Sequence, residues 1–132
     1  MIDQPFLTLI IYMGRKRILI VEDDAFIVDA LSMVLEEQGF DVSSSVDGEI
    51  FQSPIIEHPD LILLDIRLSG TDRRDICKWL KAHPDMKHIP VILISGNRDI
   101  QKIHEECGAN DYIVKPFELD DLLNKVNLFT AN

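Results

Sequence analysis

Apolar residues in this chain fall into short runs that end abruptly in charge. Ile18-Leu19-Ile20-Val21 runs into Glu22-Asp23-Asp24, and Leu61-Ile62-Leu63-Leu64 runs into Asp65. Tyr112-Ile113-Val114 runs into Lys115-Pro116. Such runs read as buried parallel strands with a polar group at the carboxyl end. The predicted strands cover residues 16–21, 40–44, 61–65, 89–94 and 111–114, the second being the weakest and the fourth leading into Ser95-Gly96.

Between the strands the apolar period lengthens to that of a helix. Residues 25–38 carry Phe26, Ile27, Ala30, Leu31, Val34 and Leu35 on one face, and Gly39 is a natural stop. A second helix is expected over 49–57, after the Asp47-Gly48 turn, with Pro54 making it short, bent or partly unwound. A third, over 72–82, would bury Ile76, Trp79 and Leu80. The fourth, over 99–107, is polar and ends at Gly108. The last, over 118–129, would turn Leu119, Leu122, Leu123, Val126 and Phe129 inward. Strands alternating with helices predict an α/β fold of right-handed βαβ units, a doubly wound five-stranded parallel sheet with five helices.

At 132 residues and 46% hydrophobic, the chain suits one domain with a real core. That domain is expected over residues 15–132. Residues 1–14 form a separate leader, either disordered or a packed apolar segment. The leader's apolar stretch is too short to cross a bilayer and lacks the basic start of a signal peptide. The chain stops where its last helix stops, so no output domain is expected after it.

The net charge of −10 argues against direct binding to nucleic acid or to an anionic membrane. It favours partners that bring positive charge or a metal. Cys77 and Cys107 lack a CxxC spacing and read as buried thiols, which points to a reducing compartment and a cytoplasmic location. The four histidines show no zinc-ligand spacing.

In open α/β sheets, ligands bind at the carboxyl edge of the strands. The strand ends deliver Glu22 and Asp23, Asp65, Ser95 and Lys115 to that edge. Converging carboxylates suit a hard cation such as Mg²⁺ and repel one another without one. A carboxylate can attack phosphorus to give an acyl phosphate, with a lysine and a hydroxyl steadying the phosphoryl oxygens. Each residue also has a plain structural reading. The acids after the first strand could cap a helix, Lys115 could be a solvated surface residue, and Ser95-Gly96 could be an ordinary turn. Asp65 is harder to dismiss, because a charge ending an all-apolar strand needs a partner.

With these residues in place, the chain resembles a response-regulator receiver domain of two-component signalling, of the stand-alone, chemotaxis-protein-like kind. The matching segments are ILIVEDD, LILLDIRLSG, VILISG and DYIVKPF, in that order. The resemblance implies a flavodoxin-like sheet of order 2-1-3-4-5. It implies that Asp65 is the phosphoacceptor and takes a phosphoryl group from a phosphohistidine on a sensor histidine kinase or a histidine phosphotransfer protein. Mg²⁺ would be held by Glu22, Asp23, Asp65 and the backbone carbonyl of Arg67. Lys115 would pair with Asp65 and then with the phosphoryl group, and Ser95 and Tyr112 would act as the switch pair. Asp24 matches a position without a ligand role, and the Lys115-Pro116 bond is expected to be cis.

A downstream protein, or a second copy of the chain in a homodimer, would dock on the face built from the fourth helix, the fifth strand and the fifth helix. Beyond its own phosphorylation and dephosphorylation, the chain would not be an enzyme. Where the family often carries a proline and a later glycine after the acceptor, this chain has Ser69 and Arg73. Arg67 and Asn97 stand at the family's variable positions beside the phosphoryl group. The alternative reading is a scaffolding module that keeps the fold but works without phosphorylation. Other enzymes on similar sheets fit poorly. There is no phosphate-binding glycine loop after the first strand, and Arg67 stands where a dehalogenase-type phosphatase wants a second acid.

Overall fold

Alternation within the apolar runs decides how the sheet is covered. Successive strand residues point to opposite faces, and here both faces are apolar, so both must be buried. A computed structural model of the chain describes residues 5, 14–46, 58–68, 71, 72 and 74–131. Its strands are β1 (Arg17–Val21), β2 (Asp41–Ser45), β3 (Leu61–Asp65), β4 (Val91–Ser95) and β5 (Asp111–Val114). All pair in parallel, in the spatial order β2-β1-β3-β4-β5. That is the order expected from the resemblance. The connection reverses direction at β1 and β3, and this places the switch point between those two strands.

Four helices stand among the described residues: α1 (Ala25–Glu37), α2 (Arg74–Ala82), α3 (Ile100–Cys107) and α4 (Leu119–Thr130). The helix expected over 49–57 lies outside the described residues, as does the leader apart from Pro5 and Gly14. One face of the sheet, carrying Ile18, Ile20, Leu61, Leu63, Ile92 and Ile94, packs with Leu31 and Leu35 of α1 and with Leu122 and Val126 of α4. The other face, with Leu19, Val21, Ile62, Leu64, Val91 and Leu93, packs with Cys77 and Leu80 of α2 and with Ile103 and Cys107 of α3. Burying each of these aliphatic side chains contributes about 1.5–3 kcal/mol.

Local signals close the elements. The Asp24 carboxylate accepts from the backbone N–H groups of Phe26, at 2.9 Å, and Ile27, at 3.4 Å, and so caps α1. At the other end, the Phe40 N–H donates to the Leu35 carbonyl and the Gly39 N–H to the Glu36 carbonyl. Gly39 sits at φ +96°, the left-handed conformation this double bond pattern requires. The Lys81 ammonium donates to the Ile89 carbonyl at 2.9 Å and ties down the chain leading into β4.

Several expectations need correction. Phe26 is 88% exposed, because the packed stripe of α1 runs through Ile27, Leu31 and Leu35 and leaves Phe26 about 100° off it. Trp79 is 43% exposed, since α2 buries Cys77 beside the expected Leu80, and the indole lies beside His83. Leu119 is 41% exposed at the first turn of α4, ahead of the buried pair Leu122 and Val126. β4 starts at Val91 rather than at residue 89, because Pro90 has no N–H to give, although its carbonyl accepts from Ile62. The third helix starts at Arg74 rather than at residue 72. Before it, Arg67–Leu68 pairs antiparallel with Thr71–Asp72, a hairpin the sequence pattern did not suggest.

Candidate functional site

The four strand ends do converge. Asp65 is the last residue of β3 and is buried, held between β1 and β4 by the parallel ladders on either side. Glu22 follows β1 directly and is also buried, its backbone N–H bonded to the Ser45 carbonyl at 3.0 Å. Asp23 comes next and is half-buried. Ser95 ends β4 and is buried. Lys115 follows β5, and its N–H bonds the Ser95 carbonyl at 2.9 Å, fixing where the lysine leaves the sheet. The Lys115-Pro116 bond is cis, as expected.

The Lys115 ammonium lies 2.7 Å from Asp65 Oδ2 and 3.2 Å from Glu22 Oε2. The Glu22 Oε1 atom accepts from the Asp24 N–H at 3.3 Å. Ligand oxygens of Glu22, Asp23 and Asp65 all lie within 4.8 Å of one another. Asp24 points its carboxylate at the helix end instead, so of the three consecutive acids one is a cap and two face the site. The plain capping reading is therefore right for Asp24 alone.

This arrangement has an electrostatic cost. Burial pushes the Glu22 carboxyl up, and its hydrogen bond to Asp65 and the charge of Asp65 push it further, to about 7. Lys115 pulls it down, but not far enough to cancel those effects. For Lys115, burial opposes the charge. The hydrogen bond to Asp65 and the charges of Asp65 and Glu22 outweigh burial and hold the ammonium above its ordinary range. One cation is thus shared by Glu22 and Asp65, with a third carboxylate, Asp23, beside them, and a second positive charge at the same place would relieve the rest.

Ser95 Oγ accepts from the Asn97 N–H at 3.0 Å, which leaves the hydroxyl proton available to donate. Arg67, two residues beyond Asp65, opens the short hairpin with Thr71–Asp72. Tyr112 stands apart from the carboxylates. It is half-buried on β5, with its ring 5.3 Å from that of His104 on α3. Nothing in the sequence reading anticipated that neighbour, because the contact depends on how the turn at Gly108 folds α3 back on β5.

A model of the response regulator receiver domain matches residues 18–127. The chain belongs to this family. It is a receiver domain of the kind found in the response regulators of two-component signalling. Among similar proteins, the DNA-binding response regulator MtrA of Mycolicibacterium paratuberculosis is 36% identical over 115 residues, 85% of this chain and 50% of that protein. The chain spans about half the length of the curated relatives it matches. The receiver domain of a signal transduction histidine kinase from Syntrophus aciditrophicus superposes with a TM-score of 0.79 at 34% identity, covering 88% of this chain and 90% of that one. The receiver domain of a sensor histidine kinase from Pseudomonas aeruginosa, solved with magnesium in its active-site cleft, superposes at 0.78 and 24% identity, covering 90% and 100%. That last likeness shows the fold. No helix among the described residues is long and apolar enough to cross a membrane.

Proposed function

We propose that Asp65 is a phosphoacceptor and that its phosphorylation changes which partner the domain docks. The observation that carries this is the Lys115–Asp65 contact of 2.7 Å inside a cluster of three carboxylates at the sheet's switch point. A purely structural ion pair does not require two further acids beside it.

The cluster fits Mg²⁺. Oxygens about 2.1 Å from an octahedral ion lie roughly 3–4 Å apart, and the carboxylate oxygens here span at most 4.8 Å, all hard donors. Glu22, Asp23, Asp65 and the Arg67 carbonyl would hold the ion. When bound, it neutralises charge on the phosphoryl oxygens. An Asp65 oxygen attacks the phosphorus of a phosphohistidine on a sensor histidine kinase or a phosphotransfer protein. A P–O bond forms as the P–N bond breaks, and the released imidazole keeps the bonding pair and takes a proton. Lys115 exchanges its contact with Asp65 for the new phosphoryl oxygens. Ser95 donates its hydroxyl to another of them, and Tyr112 follows inward. The chain thereby alters only itself and is not an enzyme acting on other molecules.

The signalling face in this reading is α3, β5 and α4. Beside the outer edge of β5 runs an open groove lined by Tyr112, Val114, Asn124 and Lys125, suited to a downstream protein or a second copy of the chain. The assay is incubation with Mg²⁺ and acetyl phosphate followed by intact mass. The expected result is a gain of one phosphoryl group in the parent and none in Asp65→Asn. Equal labelling of both proteins overturns the assignment.

A further inference from the structure

The neighbour of Tyr112 suggests how its position is set. The His104 imidazole, on the last turn of α3, stands 5.3 Å from the Tyr112 ring at an interplanar angle of 52°. That lies within the range of favourable tilted aromatic pairs. Both residues are half-buried. The backbone on each side is fixed. The His104 carbonyl accepts from Gly108 at 3.2 Å, where the chain turns at φ +80° towards β5. The Tyr112 N–H donates to Asp111 Oδ1 at 2.8 Å, and the other oxygen of Asp111 pairs with Lys125 at 2.8 Å. Tyr112 also packs against the core beneath α2 and α3, and with both backbones held the ring pair adds a contact that a Tyr112 side chain swung away from α3 would lose.

We infer that His104 is a positioning residue for Tyr112. The ring pair holds Tyr112 against α3 in the unphosphorylated protein and is broken when Tyr112 swings towards Ser95. This rests on the reading above that Tyr112 moves inward on phosphorylation. The ring contact of His104 is with Tyr112, so its influence on the site is exerted through Tyr112. It also makes the end of α3 sense the state of Tyr112, and α3 is part of the proposed docking face. A ring pair of this kind shifts a two-state ratio roughly threefold to tenfold. By linkage, removing it raises affinity for a phosphoryl mimic by the same factor.

The test uses fluorotyrosine-labelled protein and ¹⁹F NMR. The chain has two tyrosines, and a Tyr12→Phe background leaves Tyr112 as the single signal. The parent signal should move when Mg²⁺ and beryllofluoride are added. In His104→Ala the signal of the untreated protein should already lie part-way to that position, and beryllofluoride should bind roughly threefold to tenfold more tightly. His104→Gln, which keeps length and polarity without a ring, should behave like His104→Ala. His104→Phe, which restores a ring, should return both readouts towards the parent. Thermal melts of each variant show that the fold is kept. If His104→Ala and His104→Gln melt normally but leave the signal and the affinity at parent values, the inference is wrong and the inward swing stands. If the parent signal does not respond to beryllofluoride, the inward swing fails, and the inference fails with it.

Discussion

Glu22 offers the sharpest physical test of the site. In the folded protein its carboxyl is held up at about 7, against an ordinary value of 4.5, chiefly by burial and then by Asp65. Between those two values the folded protein keeps a proton that the unfolded chain has lost. Folding therefore takes up a proton in this window, and the contribution of Glu22 is most favourable below it and is lost as pH rises towards 7 and beyond. A tenfold change in proton affinity corresponds to about 1.4 kcal/mol, so the raised affinity amounts to roughly 3 kcal/mol. Glu22→Gln is similar in shape and does not titrate. Urea unfolding of both proteins in EDTA, from about pH 5 to about pH 8, isolates the term as the difference between the two curves. The parent should lose roughly 2.5 kcal/mol relative to Glu22→Gln across that range, since part of the full effect lies outside it. Added Mg²⁺ should shrink the loss, because a cation favours the ionised carboxylate. Parallel curves in EDTA, or a difference of the opposite sign, would refute the placement of Glu22 as a buried carboxyl crowded by Asp65.

Three further outcomes are expected. Asp24→Ala removes the cap of α1 and should lower stability by about 1 kcal/mol in chemical denaturation, while acetyl phosphate still labels the protein, since Asp24 does not face the site. Leu80→Ala empties a fully buried position on the α2 side of the sheet and should cost about 2–5 kcal/mol by the same measurement. Burial and its neighbour Cys107 push the Cys77 thiol up to about 12, so a thiol reagent at neutral pH should label Cys77 at once in denaturant and very slowly in the native protein, as followed by mass.

The sheet was legible because burial on both faces leaves its mark directly on composition. The sequences ILIV, LILL and VILI admit no solvated face, and a run of that length bounded by charge has few other structural solutions. β2 was the weakest signal for a physical reason. It is an edge strand, half-exposed, and its serines need satisfy only one neighbour, β1. The helix faces were read less well than the strands. Periodicity shows that α1, α2 and α4 have an apolar side, but it does not show how far a neighbour extends over it. Phe26, Trp79 and Leu119 each lie at the margin of a packed stripe, where that neighbour runs out.

The chemistry of the site divides in the same way. Which groups meet was readable, because parallel strands of similar length bring their carboxyl ends to one edge and the residue after each strand is fixed by the ladder. How those groups behave was not. The state of Glu22 depends on its burial and on the distances to Asp65 and Lys115, and a shift of about 1 Å in the lysine would change it, since Coulomb energies at these separations vary by a large fraction per ångström. The pairing of His104 with Tyr112 is one step further from the sequence. The two residues are eight positions apart, and the left-handed turn at Gly108 brings their rings together. A residue that positions a switch therefore carries no strand-end signature. It is found where a turn returns one element onto another, and here that place is the end of α3.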